Sequence, residues 1–522
     1  MLCVHFSKGW KHDLWLYPAG VGLFSAACYW LQETALLNLL GMSLAQGLVL
    51  PLYALLYRLG RRGDFFPAWL CAPAAWITAE YIRSTFPLDG FPWLLLGYTA
   101  SSLPPLLQTA DLFGVWGPGL LMALASGVGL AWVAARVERR SPRGWRGWST
   151  GLSVFLLLAV AALAYGVWRP GSLDLEEGPV LTAIQGNIPQ KLKGDQMRHG
   201  DVMLRYLSIT SRHLRRVGPV PSPDMVIWPE TIYGLPVSEG EPGEIWDQKS
   251  RVGDRESRKR ERTDLIEPVM KGAFWPKGTW FLVGATSYRL GAKGSLERRN
   301  SVFLYSPEGE RHSSYSKTIL VPGGEYLPWV ENLPFREWIE SSVRGMAGFL
   351  PDLKPGDGPR LHTLHTAEGR DYRFGIDICF ENVYGDYCRR FVAMGAQFMV
   401  NISNEGWFGT SAEFDQMMAM SLFRAVETRR TLFRCTNTGI SCVISPLGGR
   451  PGDRDKVVVG GRDRAVEGAL SSVIPVCSTV TLYTRIGDLL ALVVASLQII
   501  LVFGAILRSY VVTKRESLRY RG

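Results

Sequence analysis

The 522-residue chain predicts an α/β domain inserted into a multi-span α-helical membrane bundle. Long apolar runs dominate residues 14–168, mixed globular sequence fills 169–485, and a last apolar run occupies Ile486–Leu507. The overall hydrophobic content of 47% hides this division. It sets the expected organisation: an N-terminal membrane domain over 1–168 with about five spans, a globular domain over 169–485, and a final span with a basic tail over 486–522.

Six stretches are long enough to cross a bilayer with few interior charges: Leu14–Trp30, Leu36–Tyr57, Phe65–Ile82, Leu112–Ala134, Gly151–Trp168 and Ile486–Leu507. The third holds Pro67, Pro73 and Glu80. A net charge of +10 could suggest nucleic acid, but the charges follow the spans. Lys8 and Lys11, then Arg58, Arg61 and Arg62, then the arginines from Arg136 to Arg146, and the tail from Arg508 to Arg521 all fall on one side. The short loop opposite has only Arg83. By the positive-inside rule both termini are cytoplasmic, and residues 169–485 lie outside the cytoplasm. The first apolar run lacks a small-residue cleavage site, so no cleavable signal peptide is expected. Ser84–Ala110 is apolar yet broken by four prolines; it is expected at the outer interface, with Trp93 and Tyr98 as anchors. Glu80 and Arg83, one helical turn apart, are expected to pair near the membrane edge, where a lone charge is costly.

From Pro179 the period changes to short strands: Val180–Gln185, Met225–Trp228, Trp280–Thr286, Ser301–Tyr305, Arg373–Ile378, Gln397–Ile402, Leu432–Cys435, Gly439–Ile444 and Leu470–Val476. Phe414–Arg430 is the clearest helix among them, and the alternation predicts a layered α/β domain. Arg373–Ile378 ends on Cys379. A lone thiol is usually an inert buried hydrophobe, but two more stretches carry complementary chemistry. MVIWPE ends on Glu230, and SKTILVPGGEYLP carries Lys317 and Glu325 around a Pro-Gly-Gly turn. A carboxylate can take the thiol's proton, and an ammonium can stabilise first the thiolate and then an oxyanion. None of the seven histidines falls in these stretches, which argues against a Cys-His arrangement. The eight cysteines show no CxxC spacing, so neither a zinc nor a redox motif is read. Cys379 and Cys388 are expected to be reduced.

These stretches resemble the Glu-Lys-Cys triad of the nitrilase superfamily, and the chain from about Gly20 onward resembles the apolipoprotein N-acyltransferase family. The likeness includes QGNIPQ at Gln185–Gln190, NISNEGWFG at Asn401–Gly409, RCTNTGIS at Arg434–Ser441, Glu80 with Arg83, and GFPWLLLGY at Gly90–Tyr98. It implies a nitrilase-like α-β-β-α sandwich, with catalytic Glu230, Lys317 and Cys379. It further implies that Glu325 and Glu381 support Lys317 and the surroundings of the nucleophile, that Trp407 lies near a lipid pocket, and that Asn404 and Glu405 shape its loop. The implied reaction passes an acyl chain from a phospholipid, phosphatidylethanolamine by family resemblance, to the α-amino group of a diacylglyceryl apolipoprotein. No metal or organic cofactor is required and no nucleic acid is involved; the site would face the periplasmic side of the bacterial inner membrane.

The chain also departs from the family pattern. Gly194 stands where relatives often carry Trp. Eight spans are usual, whereas here Met1–Asp13 leads into what resembles the third, an even deficit that keeps the topology. The polar stretch Glu239–Asp264 reads as a solvated insertion, and the apolar MAGFL at Met346–Leu350 as a small core cluster or a flap near the site. Rival readings are a membrane-tethered amidase, an acyltransferase serving another amine, and a non-catalytic membrane scaffold or transporter.

Overall fold

Alternating apolar residues along β-strands and three- or four-residue spacing along helices dictate where each element buries its surface, and two separate sets of elements result. The computed structural model describes all residues except 7–9, 138–141, 194–198, 217–221, 240–277, 292–295, 329, 331–333, 348–350, 450–451, 453–454 and 520–522. The expectations for the polar insertion, for most of MAGFL and for Gly194 therefore fall outside the described residues. Met1–Leu173 with Val480–Gly522 form one unit, and Asp174–Thr479 the other.

Among the described residues of the first unit, four helical stretches are long and apolar enough to cross a membrane: Leu36–Asp64, Trp116–Val137, Trp145–Ser172 and Leu489–Lys514. The run expected at Leu14–Trp30 forms a 12-residue helix, Leu16–Ala27, which rises only about 18 Å. Gly20 lets it close on the next helix, because a Cβ there would sit 2.4 Å from the Gly47 carbonyl oxygen. The run expected at Phe65–Ile82 is the 18-residue helix Ala68–Thr85, which contains Pro73, Glu80 and Arg83.

Glu80 and Arg83 do pair, at 3.6 Å, and both are buried. The Arg83 guanidinium also donates to the carbonyl oxygens of Phe91 (3.0 Å), Trp93 (2.9 Å) and Leu94 (3.1 Å), while Glu80 accepts the Leu96 N–H at 2.9 Å. These bonds satisfy irregular backbone that a proline-broken segment cannot satisfy itself. They also correct the expectation for the aromatic anchors. Trp93 and Tyr98 are buried within the unit, with Trp93 against Trp30 and stacked on Phe91, and Arg83 holds the backbone of residues 91–94 inward.

The second unit contains two sheets. The first has strand order β11-β1-β2-β3-β4-β5 and the second β10-β9-β8-β7-β6. The strands are β1 Glu176–Gln185, β2 Met225–Ser238, β3 Trp280–Leu290, β4 Leu296–Tyr305, β5 Arg311–Ser316, β6 Leu361–His365, β7 Asp371–Ile378, β8 Phe398–Ser403, β9 Thr431–Thr436, β10 Cys442–Ile444 and β11 Gly468–Val476. β1, β2 and β3 run parallel, as do β7, β8 and β9, and antiparallel strands flank each set.

The sheets pack face to face through β1 and β2 against β8 and β9, with the Cys435 thiol donating across to the Ile227 carbonyl at 3.2 Å. Helix His199–Arg216 covers the first sheet by burying Val202, Tyr206 and Ile209 against Ile184, Val226, Trp228 and Phe281. Helices Gly385–Ala393 and Glu413–Thr428 cover the second. The unit is thus an α-β-β-α sandwich. Each fully buried Ile or Phe side chain in its core contributes about 1.5–3 kcal/mol.

Candidate active site

β7 ends in buried Phe374, Ile376 and Ile378, and the next residue, Cys379, opens a 3-10 turn with φ of +53°. A left-handed conformation at a non-glycine residue costs about 1–3 kcal/mol and persists only where its surroundings fix it. Glu381 supplies that restraint. Fully buried, it accepts the Ile378 N–H at 2.7 Å with one carboxylate oxygen, and the Thr318 N–H (2.6 Å) and the Tyr315 hydroxyl (2.7 Å) with the other. One carboxylate therefore binds the turn after β7 to the segment after β5 that carries Lys317. Burial pushes this carboxyl up to about 7, against the pull of its donors.

Glu230 ends the regular part of β2. The register of β2 against β3 slips between Trp228 and Tyr233, and Thr231 takes φ of +48°. Gly284 permits this bulge, since a Cβ there would lie 2.3 Å from the Pro229 carbonyl oxygen and 2.8 Å from the Glu230 Cα. The Glu230 carboxylate accepts from Asn300 Nδ2 at 2.7 Å and from the Asn404 N–H at 2.7 Å, and stands 3.8 Å from Lys317 Nζ. Lys317 donates to Glu325 (2.9 Å), whose other partners are Asn300 Nδ2 at 3.0 Å and the Val321 N–H at 2.9 Å.

Asn404 further donates to Gln190 at 2.8 Å and accepts from Asn437 at 3.0 Å. The three motifs QGNIPQ, NISNEGWFG and RCTNTGIS therefore meet behind Glu230. Trp407 lies on the short turn Glu405–Phe408, 40% exposed, so it is a surface aromatic and not a core one.

The electrostatics follow from this packing. Burial and the nearby Glu230 carboxylate push the Cys379 thiol well up, while the Lys317 ammonium pulls it down. Burial alone would lower Lys317, but Glu325, Cys379 and Glu230 outweigh it and hold the ammonium protonated. Cys379 is partly exposed, and both it and Cys388 are free thiols. The site thus presents a reachable thiol, a carboxylate that can take its proton, and a fixed cation for a developing oxyanion. Sequence reasoning missed Asn300 and Tyr315. Asn300 lies in the polar run Glu297–Ser301 of β4 and Tyr315 in the largely polar β5, RHSSYS, so neither a motif nor a break in an apolar pattern marks them.

Beneath Cys379, Asp377 is fully buried, accepting from Asn401 and from Asn382 at 3.3 Å. Burial raises its carboxyl to about 7 despite these amides. Because the folded value is the higher one, the protonated form stabilises the fold below about pH 4, and that contribution is lost as pH rises through about 7. Asp377→Asn is expected to flatten the fall in melting temperature between pH 5 and 8.5. Parallel curves for variant and wild type would contradict this assignment.

Comparison with known proteins places the chain. Residues 1–128 match the apolipoprotein N-acyltransferase N-terminal domain and residues 270–456 the carbon-nitrogen hydrolase domain. The apolipoprotein N-acyltransferase of Geobacter metallireducens is 32% identical over 80% of this chain and 70% of that protein. The enzyme of that name from Azotobacter vinelandii is 31% identical over 84% of this chain and 77% of that protein. Among solved structures, an amidase from Nesterenkonia sp. is similar at 16% identity, covering 60% of this chain and 95% of that one with a TM-score of 0.32. The chain belongs to the apolipoprotein N-acyltransferase family.

Proposed function

We propose that this multi-pass membrane protein transfers a fatty acyl chain from a phospholipid, phosphatidylethanolamine by family resemblance, to the α-amino group of an N-terminal diacylglyceryl-cysteine. The observation that carries the reading is the convergence of Glu230, from the bulge in β2, with Lys317 and Cys379, from just after β5 and β7, onto one site. Glu230 takes the Cys379 proton as the sulfur attacks the ester carbonyl. The high thiol pKa makes proton removal part of the attack and disfavours a standing thiolate. Lys317 faces the oxyanion. As the tetrahedral species collapses, the C–O bond breaks and Glu230 returns the proton to the departing lysophospholipid, leaving a thioester. The acceptor amine then attacks that thioester, Glu230 takes its proton, the amide forms, and the thiol is restored.

Glu325 and Glu381 act in this scheme by holding Lys317 protonated and the Cys379 turn in place. Both substrates carry chains that remain in a bilayer, so anchoring brings the nucleophile to them. We place the reaction at the extracytoplasmic face of the bacterial inner membrane, on the distribution of basic residues. The test is intact-mass spectrometry after incubation with phosphatidylethanolamine vesicles. A fatty-acyl adduct on Cys379 that hydroxylamine removes supports the reading, and a folded protein that never acquires one overturns it.

A further inference from the structure

The site contains a second lysine that the reaction scheme leaves without a role. Lys193 ends the short helix Gln190–Lys193, immediately after the QGNIPQ motif. Its ammonium donates at 2.9 Å to the Glu230 carbonyl oxygen and at 2.9 Å to the Thr231 hydroxyl. These two residues form the bulge inside β2. Thr231 is β-branched and yet left-handed, with φ of +48°, a conformation that such residues rarely accept without outside restraint. Gly284 makes room for the bulge from the β3 side, and Lys193 grips it from the other chain segment.

We propose that Lys193 is a positioning residue: by bridging the Glu230 carbonyl and the Thr231 hydroxyl, it locks the strained turn that aims the Glu230 carboxylate at Cys379. This inference rests on the reading of Glu230 as the base toward Cys379. The same placement gives Lys193 an electrostatic role. Among the described residues, titratable groups acting on it are Glu230 from β2 and Cys379 from the turn after β7, and these in turn feel Lys317 and Glu325. From helix His199–Arg216, Asp201 faces solvent. Burial lowers Lys193 to about 8 against the pull of Glu230 and Cys379, so the clamp is charged at neutral pH and weakens above it.

The test is the rate at which iodoacetamide alkylates Cys379, read by peptide mass spectrometry from pH 6 to 10 on the full-length protein. Lys193→Met is expected to slow alkylation at pH 7 by about tenfold, equivalent to raising the thiol by about one pH unit. Lys193→Arg, which keeps the charge and can still reach an acceptor, should recover most of that rate. Thr231→Gly removes the strain and the hydroxyl but leaves the charge of Lys193 and its bond to the Glu230 carbonyl, so a further Lys193→Met change should have a clearly smaller effect than in the wild type, and this pair remains informative even if Lys193→Met alone folds poorly. Wild-type alkylation profiles in folded Lys193→Met, or fully additive effects with Thr231→Gly, would overturn the proposal. Because alkylation needs no lipid, a Lys193-dependent profile in a protein that never takes up an acyl chain would refute acyl transfer and leave the clamp standing.

Discussion

Cys379→Ala is expected to lose the hydroxylamine-labile acyl adduct entirely, and with it N-acylation of a diacylglyceryl peptide by about 10⁴- to 10⁶-fold. The fold should survive. The partners that fix the turn are backbone amides on Glu381 and Glu381 itself on the β5 side, none of which uses the Cys379 side chain. Cys379→Ser separates nucleophilicity from shape, since it keeps a hydrogen-bonding group of similar size whose proton Glu230 cannot easily remove. It should be nearly as inactive and equally stable. Intact mass and a melting curve on the same preparations check both statements. A full adduct in the alanine variant would move the nucleophile to another cysteine, and Cys388, Cys435, Cys442 and Cys477 are all buried.

The second large effect is on stability. Arg434, almost completely buried on β9, pairs with Glu405 and donates to Ser421 at 2.6 Å. Close by, Glu413 is 1% exposed, and neither of its carboxylate oxygens has a hydrogen-bond partner among the described residues. Burial and Glu405 push the Glu413 carboxyl well above the usual range, and the anion that Arg434 pairs with directly is Glu405. Arg434→Leu would leave that anion alone in a dry interior, at a cost of about 3–5 kcal/mol. Adding Glu405→Gln should return much of the loss, because removing both charges is far cheaper than removing one. Melting temperatures of the single and double variants give the answer, and an Arg434→Leu protein as stable as wild type would show that the pair contributes little.

Each of the nine expected strands overlaps a strand in the structure, Gly439–Ile444 only in its second half, Cys442–Ile444, while β5 and β6 had no counterpart in the sequence reading. The reason is physical. These two are edge strands, RHSSYS and LHTLH, paired on one side only, so they need neither continuous apolar residues nor clean alternation. The aromatic anchors were misread for a related reason. Composition marks Trp93 and Tyr98 as amphipathic, but only the three-dimensional path of residues 91–96 around Arg83 and Glu80 decides that they turn inward. In the site, residues embedded in motifs could be picked out, whereas Asn300, Tyr315 and Lys193 act through partners 25–70 residues away or at isolated positions. No local pattern encodes such bonds.

The pairing of β1 with both β2 and β11 sets a timetable for biosynthesis. The strand that completes the first sheet, Gly468–Val476, leaves the ribosome roughly 280 residues after β1, and at about 5–20 residues per second this delay is roughly 15–55 s. Throughout that interval one side of Val180–Gln185 lacks its neighbour, a row of unpaired amides on a mostly apolar sequence, VLTAIQ. Nascent chains that stall before Gly468 would carry a sticky edge, so the period of greatest need for a holding chaperone falls late in translation, after the residues that form the reaction centre have already been made.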